Sequence, residues 1–124
     1  MIKVMLVDDS SIVTNMVSSY LSTKGYMVTV ANSPFGVSNK VKEFKPEVIL
    51  MDLGLPGLSG EKLINVCREK ETGHHSRIVL FSSTDEDVMK EMVVRGIADD
   101  YFIKGGSLKD LEDKIRTQAR ALHH

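Results

Sequence analysis

Five short apolar runs, each stopping at polar or charged residues, alternate along the chain with stretches of helical period, and this alternation restricts the fold more than any other feature. The runs are Lys3–Val7, Met27–Ala31, Val48–Met51, residues 78–81 (I-V-L-F) and Asp100–Ile103. Short connections with a helix between successive strands imply a parallel sheet, right-handed crossovers and helices on both faces. V-M-L-V, V-I-L-M and I-V-L-F are apolar throughout, as central strands buried on both faces must be. M-V-T-V-A is less apolar and reads as an edge. The expected class is α/β, a single unit without repeat, linker or low-complexity segment.

The intervening segments carry helix signals. Asp8-Asp9-Ser10-Ser11 ends the first strand as a loop leading into an N-cap. Val13, Met16, Val17, Tyr20 and Leu21 then recur at helical spacing, and Lys24-Gly25 closes the helix. Ser33 is expected to cap the second helix with Pro34 at its first position, where a missing N–H is harmless, and Val37, Val41 and Phe44 form its apolar stripe. The third helix carries Leu63, Ile64 and Cys67. Residues 72–77 read as polar loop, and the adjacent His74-His75 pair as solvated rather than metal-binding, since neighbouring histidines do not face one another. Ser82, Ser83, Thr84 and Asp85 offer caps for a fourth helix with Val88, Met92 and Val93 inward, ended by Gly96. Ser107 with Asp110 opens the last helix, whose stripe is Leu108, Leu111, Ile115, Ala119 and Leu122.

Composition sets outer bounds. With 124 residues, 42% hydrophobic and 27% charged, the chain is long enough for one domain with a real core. A formal net charge of -1 gives no electrostatic case for nucleic acid or an anionic membrane. The single cysteine, Cys67, excludes an intramolecular disulfide and a thiolate metal cluster. No apolar stretch is long enough to span a bilayer and the first residues lack a secretory pattern, so the cytoplasm is the expected compartment. Residues 1–122 are expected to form the domain, with His123-His124 read as the start of a purification tag.

Function is concentrated at the strand ends. In a parallel sheet every C-terminal strand end lies on one edge, where open α/β sheets place their ligands. That edge collects Asp8 and Asp9 from the first run, Asp52 from the third, Ser82 from the fourth and Lys104 from the fifth. Three carboxylates gathered there repel one another unless a cation is present. An all-oxygen set without His or Cys suits Mg²⁺ better than zinc or copper. A carboxylate can act as a nucleophile toward phosphorus. Phosphoryl transfer then needs chiefly positioning and charge neutralisation, which a divalent cation, the Lys104 ammonium and the Ser82 hydroxyl would supply. Taken singly, each of these residues has a structural role open to it, as cap or surface charge; together at four strand ends they point to one site.

The endings V-D-D-S, I-L-M-D-L-G-L-P-G-L-S-G, L-F-S-S and D-Y-F-I-K together resemble the receiver domain of two-component response regulators, of the chemotaxis-regulator kind, over residues 2–120. The resemblance implies a flavodoxin-like (βα)5 three-layer sandwich with parallel strand order 2-1-3-4-5. It implies Asp52 as the phosphoacceptor, and Mg²⁺ held by Asp9, Asp52 and the Gly54 backbone carbonyl, with Asp8 acting mainly through water. Ser82 would be the switch hydroxyl, Lys104 the fixed ammonium and Tyr101 the coupled aromatic. The implied phosphodonor is a sensor histidine kinase or a histidine phosphotransfer protein. The implied output is a change in the face of fourth helix, fifth strand and last helix, read by a downstream protein, in a monomer or a phosphorylation-dependent dimer without turnover of a substrate. One departure stands out. The family usually follows its lysine with proline in a cis peptide, whereas Gly105 follows Lys104 here; a cis bond without proline costs ~2.5–4 kcal/mol, so a trans or mobile segment is expected.

Two enzymatic or cofactor-binding alternatives fit less well. Phosphatases of the haloacid dehalogenase type carry D-x-D on the first strand, but here Asp8 and Asp9 are adjacent and Gly54 stands two residues after Asp52. A flavodoxin needs a hydroxyl- and glycine-rich phosphate loop after the first strand, where Asp8-Asp9 would repel the phosphate. A receiver-like adaptor that no longer accepts phosphate usually lacks one of the acidic or lysine positions, and all are present.

Overall fold

The computed structural model describes residues 1–55, 57, 59–68, 76–83 and 86–122. In chain order it consists of β1 (Lys3–Val7), α1 (Ser11–Thr23), β2 (Met27–Ala31), α2 (Val37–Phe44), β3 (Val48–Met51), α3 (Gly60–Cys67), β4 (Arg77–Ser82), α4 (Glu86–Val94), β5 (Asp100–Ile103) and α5 (Leu108–Leu122). The strands form one sheet in the order β2-β1-β3-β4-β5, and every neighbouring pair is parallel. This is the flavodoxin-like arrangement expected, with β2 at an edge.

The period of two along each strand divides the core into two layers. Met5, Val7, Ile49, Met51, Ile78 and Leu80 face one side, where Val37, Val41, Leu63, Ile64, Cys67, Met89 and Met92 of α2, α3 and α4 cover them. Val4, Leu6, Val48, Leu50, Val79 and Phe81 face the other, under Val17, Leu21, Leu111, Ile115 and Ala119 of α1 and α5. Each fully buried Leu, Ile or Met contributes about 1.5–3 kcal/mol, and this burial on both faces holds the central strands.

Helix phase departs from expectation at several places. In α1, Met16 is 51% exposed while Thr14 is buried; the helix docks along Thr14, Val17 and Leu21, leaving Met16 on its flank. In α4, Met89 is buried and Val88 is half exposed. Val88 and Met89 lie four and three residues before Met92, so both satisfy helical spacing, and docking on the sheet selects Met89. The predicted Ser33–Pro34 start of α2 is not used: the N-cap is Gly36, in a left-handed conformation with φ 80°. Ser33 Oγ instead accepts a hydrogen bond from the Phe35 N–H, and Pro34 is buried as a packing residue ahead of the helix. β4 begins at Arg77, expected to be loop, and includes Ser82 itself. The Thr84 and Asp85 caps, the His74-His75 pair, most of the 72–77 loop and His123-His124 lie outside the described residues.

The β5–α5 connection positions Lys104. The Lys104 N–H donates to the Ser82 carbonyl at 2.8 Å, and the Gly106 N–H to the Ile103 carbonyl at 3.2 Å. No peptide among the described residues is cis, so Lys104–Gly105 is trans, and Gly105 takes φ 96°, a conformation that glycine adopts without steric penalty. Gly106 lies against Phe102, where an added Cβ would stand 2.7 Å from the ring. Ser107 Oγ accepts from the Asp110 N–H at 3.0 Å, the expected opening of α5.

Candidate phosphoacceptor site

The parallel register brings the ends of β1 and β3 side by side, with Val7 opposite Met51, so the residues that follow emerge together. The Asp8 N–H donates to Ala31 and the Asp52 N–H to Val7, which extends the sheet's hydrogen bonding to the base of the site. Asp8, Asp9 and Asp52 each present a carboxylate oxygen within 4.8 Å of the others. Asp8 is 2% and Asp52 8% exposed, whereas Asp9 is open to solvent.

Local hydrogen bonds fix two of these carboxylates. Asp8 Oδ1 accepts from the Ser10 N–H at 2.9 Å, and Asn32 Nδ2 donates to the Asp8 carbonyl at 3.1 Å. Ser10 in turn caps α1, its Oγ accepting from the Val13 N–H. Asp52 Oδ1 accepts from the Gly54 N–H at 3.1 Å, a short turn that aims Oδ2 the other way. The Lys104 ammonium enters from β5, 2.7 Å from Asp8 Oδ2 and 3.5 Å from Asp52 Oδ2. It lies 5.3 Å from the centre of the Phe81 ring, a cation–π contact that steadies the long side chain.

Asp8, Asp9, Asp52 and Lys104 therefore meet in one pocket. Ser82 ends β4 beside them, 6% exposed, and its carbonyl anchors the Lys104 backbone. Gly54 borders the site, where an added Cβ would stand 3.6 Å from Asp52 Oδ1. Tyr101 is separate: it lies on β5, partly buried against the core layer under α2, α3 and α4, with its hydroxyl donating to Glu86 Oε2 at 3.2 Å. The roles of Asn32, Phe81, Glu86 and Lys114 were not read from sequence. Asn32 carries the signal of a polar residue just past a strand, but the others look like ordinary core or surface positions.

The pocket fits a hard divalent cation. Its ligands are all oxygen, and three carboxylates against one ammonium leave a formal excess of two negative charges. Asp8 Oδ2 is buried and takes no well-directed hydrogen bond among the described residues, its neighbour there being the Lys104 ammonium.

Fold and pocket together define a class: doubly wound α/β domains that carry an acidic pocket with a lysine at the C-terminal edge of the sheet. The response regulator receiver domain model matches residues 4–116, and the chain belongs to that family. Similar solved structures include the chemotaxis response regulator CheY4 of Vibrio cholerae, with TM-score 0.82 and 23% identity over 95% of this chain and 98% of that one. A two-component response regulator from Clostridium difficile gives TM-score 0.87 and 21% identity over 100% of both chains. The BeF3-activated N-terminal receiver domain of Klebsiella pneumoniae RstA gives TM-score 0.80 and 26% identity over 95% of this chain and 98% of that one. Receiver domains act as phosphoacceptors and signal switches rather than turnover enzymes, bind Mg²⁺ at an acidic pocket, and interact with histidine kinases or phosphotransfer proteins. No helix among the described residues is long and apolar enough to cross a membrane.

Proposed function

We propose that residues 1–122 form a cytoplasmic phosphorylation switch in which Asp52 accepts a phosphoryl group from the phosphohistidine of a sensor histidine kinase or histidine phosphotransfer protein. The observation that carries this is the Asp52 carboxylate at the end of β3, one oxygen tied to the Gly54 N–H and the other 3.5 Å from the Lys104 ammonium. An Asp52 carboxylate oxygen attacks phosphorus, the P–N bond breaks, and the imidazole leaves with the bonding electrons and takes up a proton. Lys104 and the Ser82 hydroxyl are the donors that would meet the new phosphoryl oxygens. Asp9, Asp52 and the Gly54 carbonyl would hold Mg²⁺, with Asp8 assisting through water. When bound, the metal neutralises charge on the transferring oxygens and lets the carboxylate approach the phosphodonor.

Phosphate at Asp52 would then draw Ser82 and Lys104 toward it and shift the face formed by α4, β5 and α5, with Tyr101 as the aromatic that follows. A downstream protein would read that face, either on a monomer or through a phosphorylation-dependent dimer. The decisive experiment is intact mass after incubation with acetyl phosphate and Mg²⁺. Wild type should gain one phosphoryl group that acid hydroxylamine treatment removes; Asp52→Asn, of equal size but without the nucleophilic charge, should gain none while keeping its amide spectrum. Undiminished labelling of Asp52→Asn would sink the assignment.

A further inference from the structure

Tyr101 is held from two sides by oppositely charged groups on two different helices. Its hydroxyl donates to Glu86 Oε2 at the start of α4, at 3.2 Å. The Lys114 ammonium of α5 stands 5.0 Å from the centre of its ring. That ammonium also donates to the Tyr101 carbonyl at 2.7 Å and to Asp100 Oδ1 at 3.1 Å. The Tyr101 N–H donates to the same Asp100 oxygen at 2.8 Å. Lys114 is thus anchored to the β5 backbone independently of where the ring points, which makes it a fixed post rather than a mobile surface charge.

From this geometry we propose that Glu86 and Lys114 are positioning residues that form a latch, holding the Tyr101 ring in its resting orientation and thereby setting how readily the α4–β5–α5 face changes. The inference rests on the reading of Tyr101 as the switch aromatic and extends it to what keeps that aromatic in place. The physical asymmetry is between the two ring orientations. The face of a phenol ring attracts a cation, and a phenol donating to a carboxylate makes a charge-assisted hydrogen bond. Both contacts exist only while the ring stays between the two helices. When it turns, Lys114 keeps Asp100 and the Tyr101 carbonyl, and Glu86 keeps Lys90, 3.9 Å away. Neither charge follows the ring. The latch therefore contributes to one orientation alone, the condition for biasing a two-state equilibrium. Each contact at this partly exposed site is worth about two- to fivefold in that equilibrium.

The test is the side-chain χ1 population of Tyr101 in the full chain, measured by three-bond couplings with ring-labelled tyrosine and assigned against Tyr101→Phe. Without any phosphate mimic, Lys114→Met and Glu86→Ala should each lower the ratio of resting to turned rotamer by about two- to fivefold. Lys114→Arg, which keeps the cation over the ring, should restore it. In a Tyr101→Phe background, Glu86→Ala should leave the Phe ring population unchanged, since the hydroxyl it served is gone. Unchanged Tyr101 populations in both Lys114→Met and Glu86→Ala, with native amide spectra, would overturn the latch. Adding Mg²⁺ and beryllofluoride to wild type tests the switch reading separately. If Tyr101 does not respond there, yet Lys114→Met still depletes the resting rotamer, the latch stands and the switch reading fails.

Discussion

The Lys104 ammonium lies 2.7 Å from Asp8 Oδ2, closer than its 3.5 Å approach to Asp52. In this resting geometry the lysine is chiefly a counter-ion for the most deeply buried carboxylate of the pocket, and only secondarily a partner of Asp52. Asp8 is 2% exposed, so removing its cation leaves a poorly solvated charge.

Lys104→Met should therefore lower stability in the absence of metal by about 2–4 kcal/mol, because breaking one side of a buried pair strands the other charge. Combining it with Asp8→Asn should recover most of the loss. Urea unfolding in chelator checks this; a double variant as unstable as Lys104→Met alone would show that packing on Phe81, not charge, explains the effect.

Asp9 is the exposed member of the cluster, with no hydrogen bond or ion pair found for it among the described residues. Neutralising it relieves repulsion without sacrificing a contact. Asp9→Asn should raise the melting temperature in chelator by on the order of a few degrees. Saturating Mg²⁺ should stabilise wild type by mass action and Asp9→Asn much less. Equal Mg²⁺ shifts in the two proteins would count against the metal site.

Ser82 ends β4 at the pocket, and its hydroxyl is the proposed donor to a phosphoryl oxygen. Ser82→Ala keeps the backbone carbonyl that anchors Lys104, so the fold should survive. The variant should accept phosphate from acetyl phosphate about tenfold more slowly, the loss of one neutral donor to a charged oxygen. It should also fail to transmit change. Amide shifts around Tyr101 and α4 with Mg²⁺ and beryllofluoride that match wild type would remove the hydroxyl from the switching mechanism.

A separate cluster lies between α1 and α5, where Tyr26 and Tyr20 donate to Glu112 and Arg116 pairs with it at 2.7 Å. Burial pushes the Glu112 carboxyl up, but hydrogen bonds from Arg116 and Tyr26 and the charge of Arg116 outweigh it, leaving the group below its ordinary value. A carboxyl depressed in the folded chain contributes stability above its unfolded value, about 4.3, and loses that contribution as the pH falls through the folded value. Glu112→Gln should therefore be less stable than wild type by about 1 kcal/mol near neutral pH. The gap should narrow as the pH drops below roughly 4. A gap that stays constant across that range, by urea unfolding, would mean the carboxylate charge is not what the cluster uses.

The strand runs, the parallel sheet and the acidic edge were legible because each depends on short-range pattern. V-I-L-M stopping at Asp52 declares both a doubly buried strand and the point where a charge emerges, whatever the rest of the chain does. Strand order came with the family motifs rather than from period or spacing, as did the expectation of which residues would hold Mg²⁺. Helix phase was less legible, since a period of 3.6 admits Val88 or Met89, and Met16 or Thr14, and only contact with the sheet chooses between them. The same holds for the start of α2, where a favourable Ser33–Pro34 signal lost to the burial of Pro34 and the left-handed turn at Gly36. Partner choice was not legible at all. That Lys104 sits nearer Asp8 than Asp52, and that Glu86 and Lys114 flank Tyr101, depends on distances between side chains of separate elements, which only the packed structure brings within a few ångströms.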